Sequence, residues 1–174
     1  NDATSYPSYA QVTVTNQSNY TWAGSTSDTR ALQKAASSDR LAATWYSTGF
    51  FDIDINLTDG LTHQVAIYCV DWDSTTRSQR VDVFDAVSNA LLDTRNVSGF
   101  SNGQYLLWNI SGHVKLRVTN TSGANAVVSG LFFQPMSNAL GNRSQNGSFL
   151  SKLTTEILRL ARYSFPSLVY NWSV

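Results

Sequence analysis

The distribution of apolar residues along the chain predicts a series of short β-strands. Residues 51–58 alternate strictly between apolar and polar side chains, so one face of an extended strand there would be apolar and the other polar. We place a predicted strand there at 50–57. Similar runs, rich in Val, Ile, Tyr, Phe and Trp, occupy residues 10–14, 41–46, 63–71, 79–87, 104–110, 114–119 and 126–133. Turn sequences such as Asp59-Gly60 and Ser111-Gly112 separate them. The pattern predicts an all-β, antiparallel β-sandwich of the jelly-roll kind.

Changes in composition divide the chain into four predicted segments. An N-terminal extension with one strand covers residues 1–20, the sandwich covers 21–134, a polar linker covers 135–148, and a C-terminal helix and tail cover 149–174. Within the sandwich, the polar stretch 24–40 interrupts the strand pattern, and residues 31–35 predict one irregular helical turn.

The C-terminal segment has the pattern of an amphipathic helix. Leu153, Ile157 and Leu160 follow one another at steps of three and four residues, and Pro166 stops the helix from continuing. A single amphipathic helix is not stable in water unless its apolar face is covered. We therefore expect it to pack either on its own sandwich or on a neighbouring subunit.

Charge argues against nucleic acid as a partner, and the length of the apolar runs argues against a membrane-spanning helix. The chain has 12 Lys plus Arg and 12 Asp plus Glu, so its formal net charge is zero, and no cluster of basic residues offers a surface for nucleic acid. No apolar run approaches the roughly 18 residues that a membrane-spanning helix needs. Only 14% of the residues are charged, compared with about 25% in an average soluble domain, so another group must keep the surface hydrated.

N-glycosylation motifs supply a candidate for that group. Nine of the fourteen asparagines begin an Asn-x-Ser/Thr sequence, whereas the composition alone would give about three. The nine are Asn16, Asn19, Asn56, Asn96, Asn109, Asn120, Asn142, Asn146 and Asn171. Attached glycans are bulky and hydrophilic and therefore lie on a surface. The motifs predict a secreted glycoprotein, located outside the cell or on its surface, although unused motifs in a chain rich in Ser and Thr are the alternative.

Several sequence motifs resemble a group of non-catalytic β-sandwich modules. These modules are accessory or repeat domains of large secreted proteins and glycan-degrading enzymes. The likeness covers about residues 21–134 and depends on the stretches 30–34, 41–46, 59–65, 71–73 with Arg77, 103–108 and 123–133. It implies a jelly-roll-like fold of the carbohydrate-binding type and a role in binding or surface architecture.

The residue pattern does not indicate an enzyme. The two histidines, His63 and His113, lie beside predicted strand starts and belong to no recognisable nucleophile motif. The chain has no G-x-S-x-G sequence, no phosphate-binding loop and no His/Cys spacing typical of zinc. We expect neither catalysis nor a required cofactor.

The segment from Asp71 to Arg77 is the densest polar cluster. Asp71 and Asp73 are two residues apart and would share one face of a strand, where Arg77 or Arg80 could form a bidentate ion pair with them. Ca²⁺ is the alternative ligand, but it needs six to eight oxygen ligands and only two carboxylates are evident. The composition therefore favours an ion pair over a calcium site.

Five tryptophans raise the question of sugar stacking. Trp45 and Trp108 lie in strongly patterned strands and are expected in the core. Trp22 and Trp72 lie beside turns and are the better candidates for an exposed face that stacks on a glycan. The single cysteine, Cys69, lies in an apolar run and is expected to be a small buried side chain instead of part of a bridge between chains.

Two functions fit these observations. The first is a structural one, in which the glycoprotein is the protomer of a fibre or surface assembly and binds copies of itself head to tail. Val12 and Val14 in the N-terminal strand, with Leu153, Ile157 and Leu160, would make the contacts. The second is a carbohydrate-binding module of a larger secreted or cell-surface protein, with a polysaccharide as its partner.

Overall fold

The computed structural model describes residues 5–135. This part of the chain is all-β and contains no helix. It has twelve strands: β1 (Ala10–Thr15), β2 (Ser18–Thr26), β3 (Leu32–Gln33), β4 (Arg40–Ser47), β5 (Phe50–Leu57), β6 (His63–Cys69), β7 (Ser78–Asp85), β8 (Leu91–Ser98), β9 (Gln104–Ile110), β10 (His113–Ser122), β11 (Ala126–Val128) and β12 (Gly130–Pro135). Within it, therefore, no helix is long and apolar enough to cross a membrane.

Five strands form the largest sheet, in the order β1-β5-β10-β7-β8, and every neighbouring pair is antiparallel. In β5 the buried and half-buried positions alternate along the strand, as the sequence predicts. Ile55 lies opposite Val12 on one side and Val114 on the other, so three apolar side chains from three strands share the inner face. The outer face has ion pairs such as Arg117 with Asp52, at 2.7 Å.

The other strands form two smaller antiparallel sheets. One has the order β11-β4-β2, with β3 paired to β4, and the other has the order β12-β6-β9. The chain passes from β11 to β12 through one residue, Ser129, whose backbone N–H donates to the carbonyl oxygen of Tyr68 at 2.7 Å. The two smaller sheets are therefore joined at this point.

Side chains from all three sheets share one hydrophobic core. Ile53 from the largest sheet, Trp45 from β4 and Ile67 from β6 all belong to it, and the expected burial of Trp45 and Trp108 is confirmed. Cys69 is fully buried in the same core, as predicted. Burying this much apolar surface is what stabilises a fold without disulfides.

A second, smaller core lies beside the first. Its buried members are Leu32, Leu41, Ala43, Tyr68, Val70 and Phe132. The half-buried rings of Trp22 and Trp72 both pack against this cluster. The small core therefore supports the two tryptophans that the sequence singles out for stacking.

Strand β1 is part of the domain. It pairs with β5 along its whole length, and Val12 and Val14 pack against the main core. The predicted boundary after residue 20 falls inside β2, which pairs with β4. Val12 and Val14 thus have partners in their own chain, and their interpretation as contacts for a neighbouring subunit stays a prediction.

Three local predictions differ from the structure. The helical turn predicted over 31–35 is wrong, because Leu32 and Gln33 form the short strand β3, which pairs with β4. The sequence also missed β2 and β8, and it merged β11 with β12. Pro135, the first residue of the predicted linker, ends β12. The rest of that linker, the C-terminal helix with Leu153, Ile157 and Leu160, and the motifs at Asn142, Asn146 and Asn171 lie outside the described residues.

Candidate functional site

A buried ion pair fixes the loop that joins β6 to β7, residues 70–77. The Arg77 guanidinium donates through Nη1 to Oδ1 of Asp71 at 2.5 Å, and the Arg77 backbone N–H donates to Oδ2 of the same carboxylate at 3.1 Å. Asp71 is held in turn by its own backbone N–H, which donates to the carbonyl oxygen of Phe100. The Asp71 carboxylate, near the start of the loop, therefore holds Arg77 at the end of the loop.

Asp73 lies on the same guanidinium but faces the solvent. Nη1 of Arg77 donates to Oδ1 of Asp73 at 2.6 Å, and 48% of the Asp73 side chain is exposed. Partial burial by itself raises the pKa of Asp73, but the hydrogen bond and charge of Arg77 outweigh it, so that pKa lies below its usual value. Asp73 is thus an ionised, accessible hydrogen-bond acceptor at neutral pH.

The Arg77 guanidinium donates hydrogen bonds to three protein side chains. Its Nε donates to Oδ1 of Asn125 at 2.8 Å. Burial alone would lower the pKa of Arg77, but the hydrogen bonds to Asp71 and Asp73 raise it above the ordinary value. Arg77 therefore positions three side chains, Asp71, Asp73 and Asn125.

A glycine turn packs directly against this loop. Gly123 has a φ of +83°, which favours glycine, and a Cβ atom at this position would lie 2.9 Å from Cα of Arg77. The turn that precedes β11 is thus in contact with the backbone of the ion-pair loop. A side chain at position 123 would push Arg77 away.

An aromatic cleft, which we name the Trp22 cleft, lies next to Asp73. Tyr20 and Trp22 are two residues apart in β2, and their rings meet edge to face at 6.2 Å. Pairing of β2 with β4 adds the neighbouring side chains, since Tyr20 is opposite Thr44 and Ser18 is opposite Tyr46. The cleft has a volume of about 240 Å³ and is lined by Tyr20, Trp22, Thr44, Tyr46, Asp73, Arg77 and Asn125.

A second cleft, the Trp72 cleft, also has Asp73 in its lining. Its volume is about 590 Å³, and its lining residues are Arg30, Trp72, Asp73, Ser74, Thr75, Ser101 and Asn102. The guanidinium of Arg30 lies 4.4 Å from the centre of the Trp72 ring. One face of Trp72 is therefore covered by Arg30, and the cleft wall is mostly polar.

Arg30 is held in place by a carboxylate and a carbonyl group. Its Nε and Nη2 donate to Asp28 at 2.9–3.2 Å, and its Nη1 donates to the carbonyl oxygen of Ser101 at 3.1 Å. The side-chain hydrogen bond from Arg30 is the main reason why the pKa of Asp28 lies below its usual value. Like Arg77, Arg30 is committed to protein partners.

The remaining predicted site residues lie elsewhere. Within the described residues, Asn16, Asn19, Asn96 and Asn109 are exposed, whereas Asn56 and Asn120 are half-buried. The side-chain Nδ2 of Asn120 donates to the carbonyl oxygens of Thr48 and Gly123, at 3.1 and 3.2 Å. The side-chain amide of Asn120 is therefore held by backbone carbonyl groups, whereas the asparagines of four other motifs are exposed.

The two carboxylates considered for calcium both face Arg77, as described above. In residues 5–135 there is no group of three or more His, Cys, Asp or Glu side chains that could hold a metal ion. Neither histidine belongs to the lining of the two clefts. His63 stacks on Tyr9 and contacts Asp59 at 2.8 Å, and His113 contacts Asp54 at 2.7 Å.

Sequence reasoning identified some residues of these clefts and missed others. It named Trp22, Trp72 and the 71–77 segment, which the fold brings together around Asp73. It missed Tyr20, Tyr46 and Arg30. The alternation of Tyr20 with Trp22 was an available signal, but the pairing of β2 with β4 that adds Tyr46 depends on contacts distant in the sequence.

Comparisons with known proteins give distant structural likenesses, among them a carbohydrate-binding module and a phage tailspike domain. No protein-family model matches the chain, and no curated protein matches its sequence. The carbohydrate-binding module TmCBM61, solved in complex with β-1,4-galactotriose, is similar with a TM-score of 0.36 and 10% identity, over 74% of this chain and 90% of that one. The enzymatically active domain of bacteriophage CBA120 tailspike protein 4 is similar with a TM-score of 0.37 and 11% identity, over 74% of this chain and 20% of that one. At these TM-scores neither likeness identifies a function for this chain.

Proposed function

We propose that this sandwich-like β domain is a non-catalytic carbohydrate-binding module and that it binds glycans at the Trp22 cleft. The observation on which the proposal rests is the combination of three aromatic rings, Tyr20, Trp22 and Tyr46, with an accessible carboxylate, Asp73, in one cleft. Aromatic rings stack on the apolar face of a pyranose, and a carboxylate accepts hydrogen bonds from its hydroxyl groups.

The rings of Tyr20 and Trp22 in the Trp22 cleft are accessible for stacking on a sugar. Tyr20 is 54% exposed, and Trp22 is half-buried with its inner side packed on both cores. A ring supported in this way does not lose rotamer freedom when a sugar packs on it. Affinity is greater when the binding groups are already held in place before the ligand arrives.

The polar groups of the cleft are also fixed before binding. Arg77 holds Asp73 and Asn125, and Asp71 holds Arg77. A hydroxyl group of a sugar therefore meets an acceptor whose direction is already set. This second layer of hydrogen bonds is the arrangement that a specific binding site needs.

Affinity electrophoresis and a glycan array, both with the full 174-residue chain, test the proposal. The protein should be retarded in gels that contain at least one polysaccharide, and Tyr20→Ala and Trp22→Ala should weaken that retardation about tenfold or more, as expected for loss of a stacked ring. Phe50→Ala is the matched control, because Phe50 is also an exposed aromatic residue (40%) but lies in the largest sheet.

The outcomes are distinct. Retardation that Tyr20→Ala removes and Phe50→Ala leaves intact supports the proposal. A full-length chain that binds no polysaccharide in the gels and no glycan on the array overturns it. Trp22→Ala also removes core contacts, so its circular dichroism spectrum should be compared with that of the native chain, and Tyr20→Ala decides the matter if Trp22→Ala fails to fold.

The sequence-based hypothesis of a head-to-tail fibre stays a prediction. Its N-terminal contacts, Val12 and Val14, pack on the core of their own domain, and its C-terminal contacts lie outside the described residues. N-glycosylation and an extracellular location likewise stay predictions. Both are compatible with a carbohydrate-binding module, which would meet polysaccharides outside the cell.

A further inference from the structure

We propose that the glycan site continues across Asp73 into the Trp72 cleft, so that the ligand is a neutral oligosaccharide of at least two sugar rings. This inference rests on the proposed carbohydrate-binding function and goes beyond it in naming the class of ligand. Three features of the site support it: the residue that the two clefts share, their different chemistry and the charges of their lining residues.

Asp73 makes the two clefts neighbours. It lines both of them, with Arg77 and Asn125 on one side and Ser74 and Thr75 on the other. Trp22 and Trp72, one from each cleft, pack against the same small core. A chain of sugars stacked at Trp22 would therefore reach the Trp72 cleft by passing over the Asp73 carboxylate.

The two clefts offer complementary contacts to successive sugars. The Trp22 cleft supplies aromatic faces, as described above. In the Trp72 cleft the guanidinium of Arg30 covers one face of Trp72, and the lining includes the polar side chains of Ser74, Thr75 and Asn102. We therefore assign stacking to the first cleft and hydrogen bonding to the second.

The charge of the site favours a ligand without charge. Among the described residues, Asp73 is the one carboxylate in the lining of the two clefts, and the guanidinium groups of the lining, Arg30 and Arg77, are paired with Asp28 and with Asp71 and Asp73. Both guanidinium groups already donate to these carboxylates and to protein oxygen atoms. A uronic acid or a sulfated sugar would meet the exposed carboxylate of Asp73, and like charges at contact distance repel.

Isothermal titration calorimetry with the full-length chain tests this assignment. The probes are mono-, di- and tetrasaccharides from galactan, xylan, mannan and β-glucan, with oligogalacturonates of the same lengths as acidic counterparts. The tetrasaccharide of the preferred neutral series should bind at least about tenfold more tightly than the monosaccharide, because it adds hydrogen bonds in the second cleft. Oligogalacturonates should bind at least about tenfold more weakly than that neutral tetrasaccharide.

Two substitutions separate the clefts. Thr75→Ala and Asn102→Ala, both at exposed positions of the Trp72 cleft, should each weaken tetrasaccharide binding about three- to tenfold and leave monosaccharide binding unchanged. Thr13→Ala, at an exposed position of β1 on the largest sheet, is the matched control and should change neither.

Each result has a separate meaning. If the tetrasaccharide binds no more tightly than the monosaccharide, or if both variants bind it as the native chain does while Tyr20→Ala abolishes binding, the extension into the second cleft is wrong and the proposed function stands. If oligogalacturonates bind as tightly as the neutral series, the assignment of a neutral ligand is wrong. If no sugar binds, both proposals are wrong.

Discussion

The carboxylate of Asp71 and the guanidinium of Arg77 form an ion pair that is shielded from solvent, with only 1% and 6% of their side chains exposed. Asp71 accepts two hydrogen bonds from Arg77, one from the guanidinium and one from the backbone. The pair holds the loop whose exposed member, Asp73, lies between the two clefts. We thus assign stability to the buried carboxylate of Asp71 and binding to the exposed carboxylate of Asp73, both of which accept hydrogen bonds from Arg77.

Replacing each carboxylate should separate these two roles. Asp71→Asn leaves a buried guanidinium without its counter-charge and should lower the free energy of unfolding by about 3 kcal/mol. Asp73→Asn changes an exposed partner and should lower it by less than about 1 kcal/mol. It should nevertheless weaken glycan binding. Urea denaturation followed by tryptophan fluorescence measures the first two effects, and titration with the preferred glycan measures the third.

The same variants distinguish the ion pair from a calcium site. The loss of stability in Asp71→Asn should be equal in buffer with EDTA and in buffer with Ca²⁺, because Arg77 is the partner. If EDTA destabilises the native chain and has no further effect on Asp71→Asn or Asp73→Asn, a bound cation is the better explanation.

Two glycines with positive φ provide a matched test of steric fit. Gly99 has a φ of +63° and nothing within 4 Å of the position of a Cβ atom, so Gly99→Ala should cost about 1 kcal/mol for the backbone conformation alone. Gly103 has a φ of +83°, and its Cβ atom would lie 1.9 Å from Oη of Tyr68. Gly103→Ala should cost about 3 kcal/mol or more, which thermal or urea unfolding measures. Equal costs would show that the Tyr68 ring yields without penalty.

Stability should decline in alkaline solution. Burial raises the pKa of Tyr6 from 10.0 to about 12 and the pKa of Cys69 from 9.0 to about 12. Both groups keep their protons longer in the folded state than in the unfolded state. Their contribution is therefore fully present below pH 9 and is lost as the pH rises towards 12. Urea midpoints between pH 8 and 11 measure the decline, and Tyr6→Phe should flatten its upper part. A midpoint that does not change up to pH 11 would contradict this expectation.

The Cys69 thiol should be inert in the folded protein. It is fully buried, its raised pKa disfavours the thiolate, and the side-chain amide of Gln79 donates to its sulfur at 3.2 Å. Iodoacetamide at pH 8 should label it only at the rate of global unfolding and at once in concentrated urea. Rapid labelling under native conditions, or a disulfide-linked dimer on a non-reducing gel, would argue against this burial.

The glycosylation motifs should not be used equally if the chain is made in a glycosylating cell. A glycan on Asn120 replaces one of the two N–H bonds of its side-chain amide, which donate to Thr48 and Gly123. Folded material should therefore contain glycans at exposed positions such as Asn16, Asn19 and Asn96 and lack one at Asn120. Mass spectrometry of glycopeptides measures the occupancy of each site. High occupancy at Asn120 in a folded product would contradict the structure, and bare polypeptide at every site would contradict the glycoprotein prediction.

The sequence predicted best the strands that bury one face. β5 and β9 were located to the residue, because their apolar side chains alternate or contact the core along the whole strand. β2 and β8 escaped detection for the opposite reason. β2 is an edge strand interrupted by two irregularities in its pairing, and most side chains of β8 are exposed, so neither has the apolar alternation that marks a buried strand.

The candidate site shows the same limit. Trp22 and Trp72 were singled out as residues beside turns, which is right for Trp72 in the loop after β6, whereas Trp22 lies in the middle of β2. The spacing of Asp71 and Asp73 indicated a common partner. The cluster of Tyr20 with Tyr46, and the placement of Arg30 over Trp72, depend on pairings between residues far apart in the chain. Local patterns along the chain do not show which distant residues pair, so the sequence alone could not predict the Trp72 cleft.

The passage of the chain through Ser129 constrains how the domain can move. Strands β11 and β12, which belong to different sheets, are separated by this one residue, and its N–H is bonded to Tyr68. A spacer of that length cannot act as a hinge, because opening one sheet pulls directly on the other. The Trp22 cleft, whose aromatic side chains lie on β2 and β4, should therefore unfold together with the small core that supports Trp72. We expect a single cooperative transition, with no intermediate in which only one cleft is still folded.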